Sequence, residues 1–596
     1  MFLSQSRRYD DRALYRFARE GAWEKMTWRD ARSRVGEIAL GLISLGIGKG
    51  DRVAMFSGNR VEWCLIDWAN ICIGALTVPV YASSTMAQLA HILEHSGATV
   101  LVVDSADRLK KPDSLGSVRQ IVSIEDAGVS EPAVASISCI SLAELRRIGR
   151  EYGQNHGDLF ERTASSLRPE DDLTIIYTSG TTGEPKGVLT THRHYLFMLE
   201  AVSKAIPWSD RDVDLLFLPL AHSLGRLEHF LAVAEGFTCG LVRSLETIGK
   251  DLLEVRPTIL VSVPRIYENA YARVRSRAEA GSRLRRSIFH WAVTVGARWS
   301  VHSIEGKRIS LLLRAAHGLA HRLVYFQIHA AFGGNLRLAV SGGAPLAPEI
   351  AKFFHSVGIL ILEGYGLTES STVSHANRPE RPKFGTVGLP LPGVECRIGR
   401  DGEILLRGQN ILKGYYRDPE GTRAALDEEG WLGTGDIGEI DGDGFLRITD
   451  RKKDIIVTSG GKNIAPQMIE NLLQTEPLIA QAIVLGDGEA HLVALVTLDR
   501  DRVLDWAKRE GVEFQSAEEI ASHPRVTALV KERIREKNKQ LSAFEAVRNF
   551  RIVPHHFSME RAELTPTLKL RRQVIKERYK GLIEEMARRP RFDLGD

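Results

Sequence analysis

The chain has few cysteines, and their placement excludes two classes of protein. Five cysteines are scattered over 596 residues, and no two of them form a CxxC pair. Neither a disulfide framework nor a structural zinc site is built from cysteines in this arrangement. The first residues also lack the apolar core and the small-residue cleavage site of a secretory signal peptide. We therefore expect a cytoplasmic protein.

Long hydrophobic runs and a strong net charge are also missing. The stretch nearest to a membrane span runs from Trp63 to Tyr81, but Asp67 and Asn70 interrupt it. Gly74 divides it into a helix-like and a strand-like half, which predicts a buried helix followed by a buried strand. The formal net charge of +4 is small for this length, so the composition does not indicate a nucleic-acid-binding protein.

The chain does contain many short apolar runs typical of strands. In the N-terminal part they alternate with amphipathic helical stretches, as in RVAMF, TVLVVD, LTIIYT, TILVSVP and GILILEGYG. This alternation predicts βαβ units, in which helices cover both faces of a parallel sheet. We therefore predict an α/β fold with a large N-terminal domain of doubly wound parallel sheets at residues 1–449.

Two other patterns follow this one. Residues 385–449 are rich in Gly and Pro and carry short strand-like runs separated by turns such as DGDG, which predicts a small β-barrel subdomain of the N-terminal domain. Residues 450–596 combine strand-like runs with a charged helical stretch at 524–540, which predicts a smaller α+β C-terminal domain. The sequence thus indicates two domains that meet at residue 450.

The strongest functional motif is YTSGTTGEPKG, directly after the strand-like run LTII. Its glycines let backbone N–H groups approach a phosphate, its hydroxyls add donors, and its lysine supplies a positive charge. It is not a Walker A motif, because the lysine is followed by Gly187 rather than by Ser or Thr. We predict a phosphate cradle formed by Thr178, Ser179, Gly180, Thr181, Thr182, Gly183 and Lys186.

A second motif, EGYGLTES, follows the strand-like run GILIL. Tyr365 offers an aromatic face to a purine base, Thr368 offers a hydroxyl to phosphate, and Glu369 offers a hard oxygen ligand to Mg²⁺. Upstream lies SGGAPL, whose glycines Gly342 and Gly343 let the backbone approach a ligand closely. Together the two strings predict a nucleotide site with a magnesium ion.

These strings resemble motifs of the adenylate-forming superfamily, which comprises acyl-CoA synthetases, peptide-synthetase adenylation domains and firefly-type luciferases. The strings WLGTGDIG, ITDRKKD, TSGGKNIAP and ELTPTLKLRR follow in the family's order, so the likeness covers nearly the whole chain. The resemblance implies ATP and Mg²⁺ as cofactors and coenzyme A as co-substrate. It also implies that the C-terminal domain is mobile.

The resemblance implies roles for individual residues in nucleotide binding. Asp436 would accept hydrogen bonds from the ribose hydroxyls, and Arg451 would reach the nucleotide. Glu369 and Thr178 would hold the metal. The residues that would line the adenine and phosphate site in addition to the phosphate loop are Gly342, Gly343, Ala344, Tyr365, Gly366 and Thr368.

The resemblance also implies the catalytic groups and the thioester-forming loop. Lys569 would stabilise the charge that develops at the carboxylate oxygen and the α-phosphate, with Lys186, Glu369 and His222 as further catalytic residues. Asp450 would be the hinge about which the C-terminal domain rotates. The residues implied at the coenzyme A channel are Gly460, Gly461 and Lys462.

Two further patterns are interpreted as structural. The GxGxxG match inside WLGTGDIG is followed by a hairpin pattern, not by the helix that a dinucleotide-binding turn requires. HILEH fits a metalloprotease pattern, but it leads into the strand-like run TVLVVD. We therefore predict a hairpin at the first string and an ordinary helix before a core strand at the second.

The implied activity is the ATP-dependent activation of a fatty acid to acyl-AMP, followed by transfer to coenzyme A. The insertion at 271–330 and the string LPLAHS look most like the long-chain branch of the family. A fatty acyl-AMP ligase that serves a carrier protein, a CoA ligase for another lipophilic or aryl acid, and a luciferase-like oxygenase are alternatives. A non-catalytic scaffold is disfavoured by the presence of Lys186, Glu369, Asp436, Arg451 and Lys569.

One segment has a strong local charge. Residues 271–330 hold eleven Lys and Arg against two Asp and Glu, interleaved with apolar runs such as ISLLL. Such a stretch either rests on an anionic membrane surface or forms a solvated helical face, and both interpretations stay open. A peripheral position at the inner face of the membrane is one option. The expected partners are a fatty acid and coenzyme A, with no nucleic acid, and a homodimer is left open.

Overall fold

The structure is a computed structural model that describes residues 1–109, 115–125, 137–178, 185–460, 462–565 and 570–588. The chain divides into two compact units. The first unit comprises Met1–Cys396 and Leu406–Gly433, and the second comprises Arg397–Leu405 and Thr434–Asp596. The domain boundary and hinge expected at residue 450 stay predictions.

The α-helices are α1 (Phe2–Tyr9), α2 (Trp28–Ser44), α3 (Val61–Ile73), α4 (Met86–Ser96), α5 (Leu142–Asn155), α6 (Leu159–Ser165), α7 (His192–Ala205), α8 (Ser223–Glu235), α9 (Ile248–Val255), α10 (Pro264–Glu279), α11 (Arg283–Ile304), α12 (Leu311–Ala320), α13 (Phe326–Ala331), α14 (Pro348–Ser356), α15 (Pro419–Ala425), α16 (Pro466–Gln474), α17 (Arg500–Glu510), α18 (Ala517–Ser522), α19 (Pro524–Asn538), α20 (Arg572–Arg578) and α21 (Lys580–Arg588). Short 3₁₀ helices lie at Ala106–Arg108 and Thr368–Ser370, and a π-helical turn lies at His321–Tyr325.

The strands are β1 (Ala13–Arg19), β2 (Ala22–Thr27), β3 (Arg52–Phe56), β4 (Leu76–Val80), β5 (Val100–Val103), β6 (Gln120–Ser123), β7 (Ser138–Ser141), β8 (Asp172–Thr178), β9 (Lys186–Thr191), β10 (Val213–Leu216), β11 (Thr238–Leu241), β12 (Ile259–Ser262), β13 (Leu338–Ser341), β14 (Ile361–Tyr365), β15 (His375–Ala376), β16 (Leu389–Pro390), β17 (Val394–Ile398), β18 (Glu403–Gly408), β19 (Gly414–Tyr415), β20 (Leu432–Ile440), β21 (Leu446–Arg451), β22 (Ile456–Val457), β23 (Asn463–Ile464), β24 (Ile479–Leu485), β25 (Leu492–Leu498) and β26 (Val547–Val553).

The largest sheet has the strand order β19-β9-β8-β4-β3-β5-β6-β7. The strands from β8 to β7 in this order run parallel, whereas β9 and β19 are antiparallel additions at one edge. Val53 and Met55 pack in a core cluster with residues of α2 and α3, while Ala54 and Phe56 pack in another with residues of α4. Alternate residues of a strand point to opposite faces, so helices cover both faces of this sheet and the predicted doubly wound architecture is confirmed.

The apolar stretch at 63–81 contains a buried helix and a buried strand, as predicted. Helix α3 ends at Gly74, whose φ of 75° lies in the left-handed region that favours glycine. A Cβ at this position would also lie 2.8 Å from Cδ2 of Leu167. Within the described ranges, no helix is long and apolar enough to cross a membrane.

Two smaller sheets complete the first unit. One has the strand order β12-β13-β14-β15-β16, and its first three strands run parallel. The other has the order β10-β11-β1-β2, and its strands β10, β11 and β1 run parallel. The carboxyl ends of β8, β13 and β14 lead into the three predicted site motifs of this unit. Ligands of α/β proteins bind beyond the carboxyl ends of parallel strands, so the topology places these motifs where a site is expected.

Strands β17, β18, β20 and β21 form a curled antiparallel half-barrel in the region where the sequence predicts a small β-barrel. Strands β20 and β21 are the predicted hairpin at WLGTGDIG, so its GxGxxG match lies in a strand rather than before a helix. The sheet β24-β25-β26 lies in the second unit, and in it β24 is antiparallel and β26 parallel to β25. Helices α16 and α19 pack in one core cluster with this sheet, and α20 and α21 in another, as expected for an α+β domain.

Candidate functional site

The predicted phosphate loop connects β8 and β9, which pair as an antiparallel hairpin. Thr178 ends β8 and is opposite Lys186, the first residue of β9. Ser179, Gly180, Thr181, Thr182 and Gly183 lie outside the described residues. Before the loop, the hydroxyl of Tyr177 lies 2.7 Å from Nδ1 of His95 in α4, so the HILEH segment is a helix that supports this strand.

Lys186 is held at the mouth of the hairpin by two side chains that no motif contains. Its Nζ lies 3.0 Å from Oδ2 of Asp418 and 5.0 Å from the centre of the Tyr415 ring. The N–H of Gly421 donates to Oδ1 of Asp418 at 2.7 Å, and this hydrogen bond together with Lys186 holds the pKa of Asp418 below its usual value. Half of the lysine side chain is exposed, so it is accessible to a phosphate.

Glu369, the predicted metal ligand, lies in the 3₁₀ helix after β14. The hydroxyl of Tyr415 donates to Oε1 of Glu369 at 3.0 Å. The N–H of Leu412 donates to the carbonyl oxygen of Glu369 at 2.8 Å. Tyr415 therefore contacts both Lys186 and Glu369, and it joins the phosphate hairpin to the motif that carries the carboxylate.

Two glycines of the site motifs allow close backbone contacts. A Cβ on Gly366 would lie 2.0 Å from the carbonyl oxygen of Thr372, so no larger residue fits the turn after Tyr365. A Cβ on Gly342 would lie 3.2 Å from Cδ2 of Leu224. The backbone of Gly342 thus passes directly against the start of α8. The other predicted lining residues, Gly343, Ala344 and Thr368, lie in the same two loops after β13 and β14.

His222 is the N-cap residue of α8. Its Nδ1 accepts a hydrogen bond from the N–H of Leu224 at 3.1 Å, which requires an unprotonated Nδ1. The hydroxyl of Thr372 donates to the carbonyl oxygen of Ser223 at 3.3 Å, so the segment after EGYGLTES contacts the same helix start. The structure thereby brings together three predicted elements, namely His222, the SGGAPL loop and the EGYGLTES loop.

A buried ion pair lies one turn further along α8. Nε and Nη2 of Arg226 donate to the two carboxyl oxygens of Asp67 in α3, at 3.1 and 2.5 Å. Arg226 also donates to the hydroxyl of Thr174 in β8. The side chains of Arg226 and Asp67 are both fully buried. The pair connects the strand that ends at Thr178 with the helix that begins after His222.

Several carboxyl groups of the first unit are buried. Burial raises the pKa of Glu363, in β14, to about 7. Burial raises the pKa of Asp214, in β10, to about 6, and it raises the pKa of Glu228, in α8, well above its usual value. Asp214 and Glu228 interact, and a fully buried pair of carboxyl groups favours retention of a proton.

The second unit contains the predicted nucleotide-binding residues Asp436 and Arg451. They are opposite each other in the β20–β21 hairpin, and Nε of Arg451 lies 3.1 Å from Oδ1 of Asp436. Asp436 is buried and Arg451 is partly exposed. The two residues that the family resemblance assigns to the nucleotide are therefore direct neighbours.

The predicted hinge residue Asp450 is also buried in this unit. Burial raises its pKa to about 6, and its Oδ1 accepts from the N–H of Arg451 at 2.6 Å. The charge of Arg572 also acts on Asp450. Nη2 of Arg572 donates to the buried Glu470 at 2.6 Å, and its Nε lies 3.9 Å from Oδ1 of Asp454. Arg572 thus interacts electrostatically with three acidic groups around the predicted hinge.

The predicted coenzyme A loop lies between β22 and β23, which pair as a short hairpin. The N–H of Thr458 donates to the carbonyl oxygen of Lys462 at 3.0 Å. Among the described residues, a Cβ on Gly460 would meet only the hydroxyl of Thr458, at 3.9 Å. Nζ of Lys462 lies 5.8 Å from the centre of the Phe544 ring. Gly461 and Lys569 lie outside the described residues.

Sequence reasoning missed the residues that support the site. Tyr415 and Asp418 contact predicted residues but belong to no recognised string. Arg572 ends the recognised string ELTPTLKLRR, but its ion pair with Glu470 was not predicted. Asp67 was noted only as an interruption of an apolar stretch. The available signal was a charged residue inside an otherwise apolar helix, which requires a buried partner.

The described part of the chain contains no preformed metal cage. No group of three or more His, Cys, Asp or Glu side chains is placed there to hold a metal ion. Mg²⁺ is usually bound through one or two carboxylates, with water and substrate phosphates completing its coordination. Glu369, with one oxygen held by Tyr415 and a position beyond the end of β14, fits this type of site.

Comparison with known families is consistent with this arrangement. The profile of the AMP-binding enzyme family matches residues 2–416. The profile of the AMP-binding enzyme C-terminal domain matches residues 453–590. The two matched regions contain every predicted site residue except Asp436, Asp450 and Arg451.

Two relatives match nearly the whole chain. The long-chain-fatty-acid–CoA ligase FadD15 of Mycobacterium tuberculosis is 37% identical over 591 residues, which are 98% of this chain and 96% of the relative. The peroxisomal long chain acyl-CoA synthetase 7 of Arabidopsis thaliana is 31% identical over 588 residues, which are 95% of this chain and 82% of the relative.

Solved structures share the fold. The adenylation domain of a carboxylate reductase from Mycobacterium chelonae superposes with a TM-score of 0.75 at 22% identity, covering 99% of this chain and 90% of that chain. The A domain of a carboxylic acid reductase from Segniliparus rugosus, solved with AMP and a co-purified carboxylic acid, gives a TM-score of 0.76 at 21% identity, covering 98% and 93%.

Proposed function

Because the chain belongs to the family of AMP-binding, adenylate-forming enzymes, we propose that it joins a long-chain fatty acid to coenzyme A by way of an acyl-adenylate. The observation that carries the proposal is the 37% identity, over 98% of the chain, with a relative named long-chain-fatty-acid–CoA ligase. The contacts of Tyr415 with Lys186 and Glu369 support it, because they hold a cation and a carboxylate beside the phosphate hairpin.

In the first step, a carboxylate oxygen of the acid attacks the α-phosphorus of ATP and the bond to pyrophosphate breaks. Negative charge remains on the departing pyrophosphate. Lys186 would neutralise part of this charge, and Thr178 with the loop that follows it would donate hydrogen bonds to the phosphate oxygens. Lys569 would act at the α-phosphate and the reacting carboxylate. These residues bind and orient the reactants rather than take part covalently.

The carboxylate of Glu369 and the hydroxyl of Thr178 would hold the magnesium ion. The hydrogen bond from Tyr415 fixes one oxygen of Glu369, so the other oxygen has a defined direction. A bound Mg²⁺ withdraws charge from the phosphate oxygens and makes the α-phosphorus more electrophilic.

The remaining predicted residues would hold the rest of the two substrates. Tyr365 and the backbone of Gly342 and Gly343 would line the adenine. Asp436 would accept hydrogen bonds from the ribose hydroxyls, and its ion pair with Arg451 orients the carboxylate. Nδ1 of His222 accepts a hydrogen bond from the N–H of Leu224 at the start of α8. The proton on Nε2 would therefore be available to the acyl carboxylate.

In the second step, the thiol of coenzyme A gives up its proton to solvent and its sulfur attacks the acyl carbonyl carbon. The bond to the AMP oxygen breaks, and AMP leaves with the electron pair. The loop with Gly460, Gly461 and Lys462 would admit the pantetheine arm, since its glycines occupy little space. Lys569 and this loop serve the same carbonyl in successive steps. Rotation of the C-terminal domain about Asp450 would exchange them.

A panel of acids tests this proposal. Pyrophosphate release and acyl-CoA formation are measured with ATP, Mg²⁺ and coenzyme A for straight-chain acids from acetate to oleate and for aryl acids. We expect acid-dependent release with the highest kcat/KM for long-chain acids and matching amounts of thioester. A preference for aryl acids would contradict the substrate class. Acyl-AMP that accumulates with coenzyme A but is consumed by a carrier protein would instead identify a fatty acyl-AMP ligase.

A further inference from the structure

An unusual share of the exposed apolar surface lies in one segment of the first unit. Of seventeen large hydrophobic residues that are exposed in the described chain, nine lie between Leu284 and Phe326. This segment comprises α11, α12, the π-helical turn and α13. It falls within the basic insertion, for which the sequence left two interpretations open. Clusters of exposed apolar residues mark interaction surfaces, whereas isolated ones do not.

The exposed residues of α12 to α13 form a stripe. Leu312, Leu319, Leu323 and Phe326 follow one another at intervals of seven, four and three residues. Such intervals return to the same side of a helix. The four residues are 84%, 51%, 45% and 63% exposed. We call them the outer stripe.

The opposite side of the same helical segment is already occupied. Ala320, Tyr325 and Ile328 are buried in a core cluster of the first unit. His317 stacks on the ring of Trp299 in α11 at 4.2 Å between ring centres. The packing of the helix therefore does not require the leucines of the outer stripe, and their apolar character needs another explanation.

Exposed arginines lie close to the outer stripe in the sequence. Arg308, Arg314 and Arg322 are exposed, and within the described ranges none of the three forms an ion pair. Across residues 271–330, eleven Lys and Arg stand against two Asp and Glu. A solvated helical face with this charge would not also carry four exposed bulky apolar side chains.

We propose that the outer stripe docks on the surface of an anionic phospholipid bilayer. The leucines and Phe326 would enter the boundary between headgroups and acyl chains, and the arginines would pair with lipid phosphates. This is an interfacial contact, because no described helix has the length and hydropathy to span a membrane. It goes beyond the proposed function and does not depend on it.

The charge distribution favours a membrane over a second copy of the chain. A two-fold symmetric contact through the outer stripe would bring the same basic segment of both copies together, and the like charges would repel. An anionic bilayer satisfies both the apolar and the basic residues. Nucleic acid would satisfy the arginines but leave the leucines without an apolar partner.

Vesicle binding by the full chain tests the proposal. The protein is sedimented with vesicles of phosphatidylcholine alone and of phosphatidylcholine mixed with an equal amount of phosphatidylglycerol. We expect at least roughly tenfold stronger partitioning to the mixed vesicles, and weakening at high salt. The combined variant Leu312→Ser, Leu319→Ser and Phe326→Ser should lose roughly tenfold or more of this binding, because it removes most of the inserted apolar area.

A matched control replaces Leu245→Ser and Leu253→Ser, which are 57% and 54% exposed elsewhere in the first unit. This variant should bind as the unchanged protein does, and Arg314→Gln with Arg322→Gln should weaken binding to mixed vesicles only. Thermal melting checks that all variants are folded. Equal binding by the outer-stripe variant, or no vesicle binding at all, would overturn the proposal. So would a lipid-free dimer in sedimentation velocity that the outer-stripe variant abolishes, since a second copy would then cover the stripe.

Discussion

Tyr415 connects Lys186 and Glu369, two side chains of the first unit that are predicted to bind phosphate and metal. Its ring lies against Nζ of Lys186, and its hydroxyl donates to Glu369, which is 46 residues away in the chain. A neutral phenol that donates to one carboxylate oxygen leaves the other available as a ligand. Burial raises the pKa of Tyr415 and the neighbouring Glu369 adds to this effect, so the phenol keeps its proton.

Replacement of Glu369 tests the role of this carboxylate. In Glu369→Gln the side chain keeps its size but loses its charge, and an amide oxygen is a weaker ligand for Mg²⁺ than a carboxylate. We expect acid-dependent pyrophosphate release to fall roughly 100-fold or more, as is typical when one group that stabilises developing charge is removed. The measurement is initial rate at saturating ATP over a range of Mg²⁺ concentrations.

The matched control is Glu380→Gln, an exposed glutamate that follows the same motif in the chain. It should leave the rate within about twofold, because an exposed surface substitution has little effect. A Glu369→Gln protein that keeps the full rate at every Mg²⁺ concentration would show that the metal ligand lies elsewhere.

At the scale of elements, α8 is unusual because its polar residues are buried. Arg226, Glu228 and His229 are all at most 1% exposed. Arg226 is compensated by Asp67, whereas Glu228 faces another carboxyl group, Asp214 of β10. The helix that begins after His222 is thus fixed by one ion pair and one pair of acids. Removing one partner from a buried ion pair is strongly destabilising, so Arg226 has a structural reason to be an arginine.

The acid pair predicts a pH-dependent stability. Because burial raises the folded-state pKa of Glu228 and Asp214, the folded protein keeps protons that the unfolded chain releases between about pH 4 and the folded pKa values. The stability contribution of the pair is therefore present at low pH and lost as the pH rises. The loss is about 1.4 kcal/mol for each unit by which the folded-state pKa exceeds the unfolded-state pKa. Glu228→Gln removes one ionisation, so its melting midpoint should exceed that of the unchanged protein at pH 8.

At pH 5 the two melting midpoints should be nearly equal, since a protonated glutamate and a glutamine are similar in size and hydrogen bonding. The control Glu200→Gln, an exposed residue of α7, should show no such difference between the two pH values. If Glu228→Gln changed the melting midpoint by the same amount at both pH values, ionisation of the pair would not limit stability.

At the scale of the whole molecule, the predicted chemistry is divided between two units. The phosphate hairpin, Glu369 and His222 belong to the first unit, whereas Asp436, Arg451 and the loop with Gly460 belong to the second. Such a division suits a reaction whose two steps need different groups at one carbonyl. Lys569 is assigned from its string in the sequence, and its role is open to a direct test.

Lys569→Ala should separate the two steps. We expect acyl-AMP formation from acid and ATP to fall roughly 100-fold or more, because the charge on the α-phosphate loses its cation. Thioester formation from chemically synthesised acyl-AMP and coenzyme A should stay within about threefold, because this step does not use the lysine. Both rates are measured by quenched-flow mass spectrometry.

The control is Lys576→Ala in α20, which should change neither rate. A Lys569→Ala protein that adenylates normally but fails to form thioester would contradict the assignment. It would place the lysine in the second step instead.

Much of this protein could be predicted from local patterns. Alternating apolar runs identified the strands that form the parallel sheets, Gly74 marked the end of α3, and the order of short motifs indicated an adenylate-forming enzyme. The strands and the helix end depend on residues close together in the chain, where backbone geometry and periodicity act directly, whereas the enzyme family was indicated by the resemblance of the motifs. The half-barrel hairpin at WLGTGDIG was recognised for the same reason.

The supporting contacts were decided only by the tertiary structure. The ion pair of Arg226 with Asp67 joins residues 159 positions apart, and Tyr415 reaches Lys186 because β19 pairs with β9 at the edge of the largest sheet. No local pattern encodes such contacts, since they arise when distant strands and helices pack and buried polar groups must find partners. The sequence by itself thus determined the chemical groups of the predicted site, and the folded sheets and helices determined which of those groups meet.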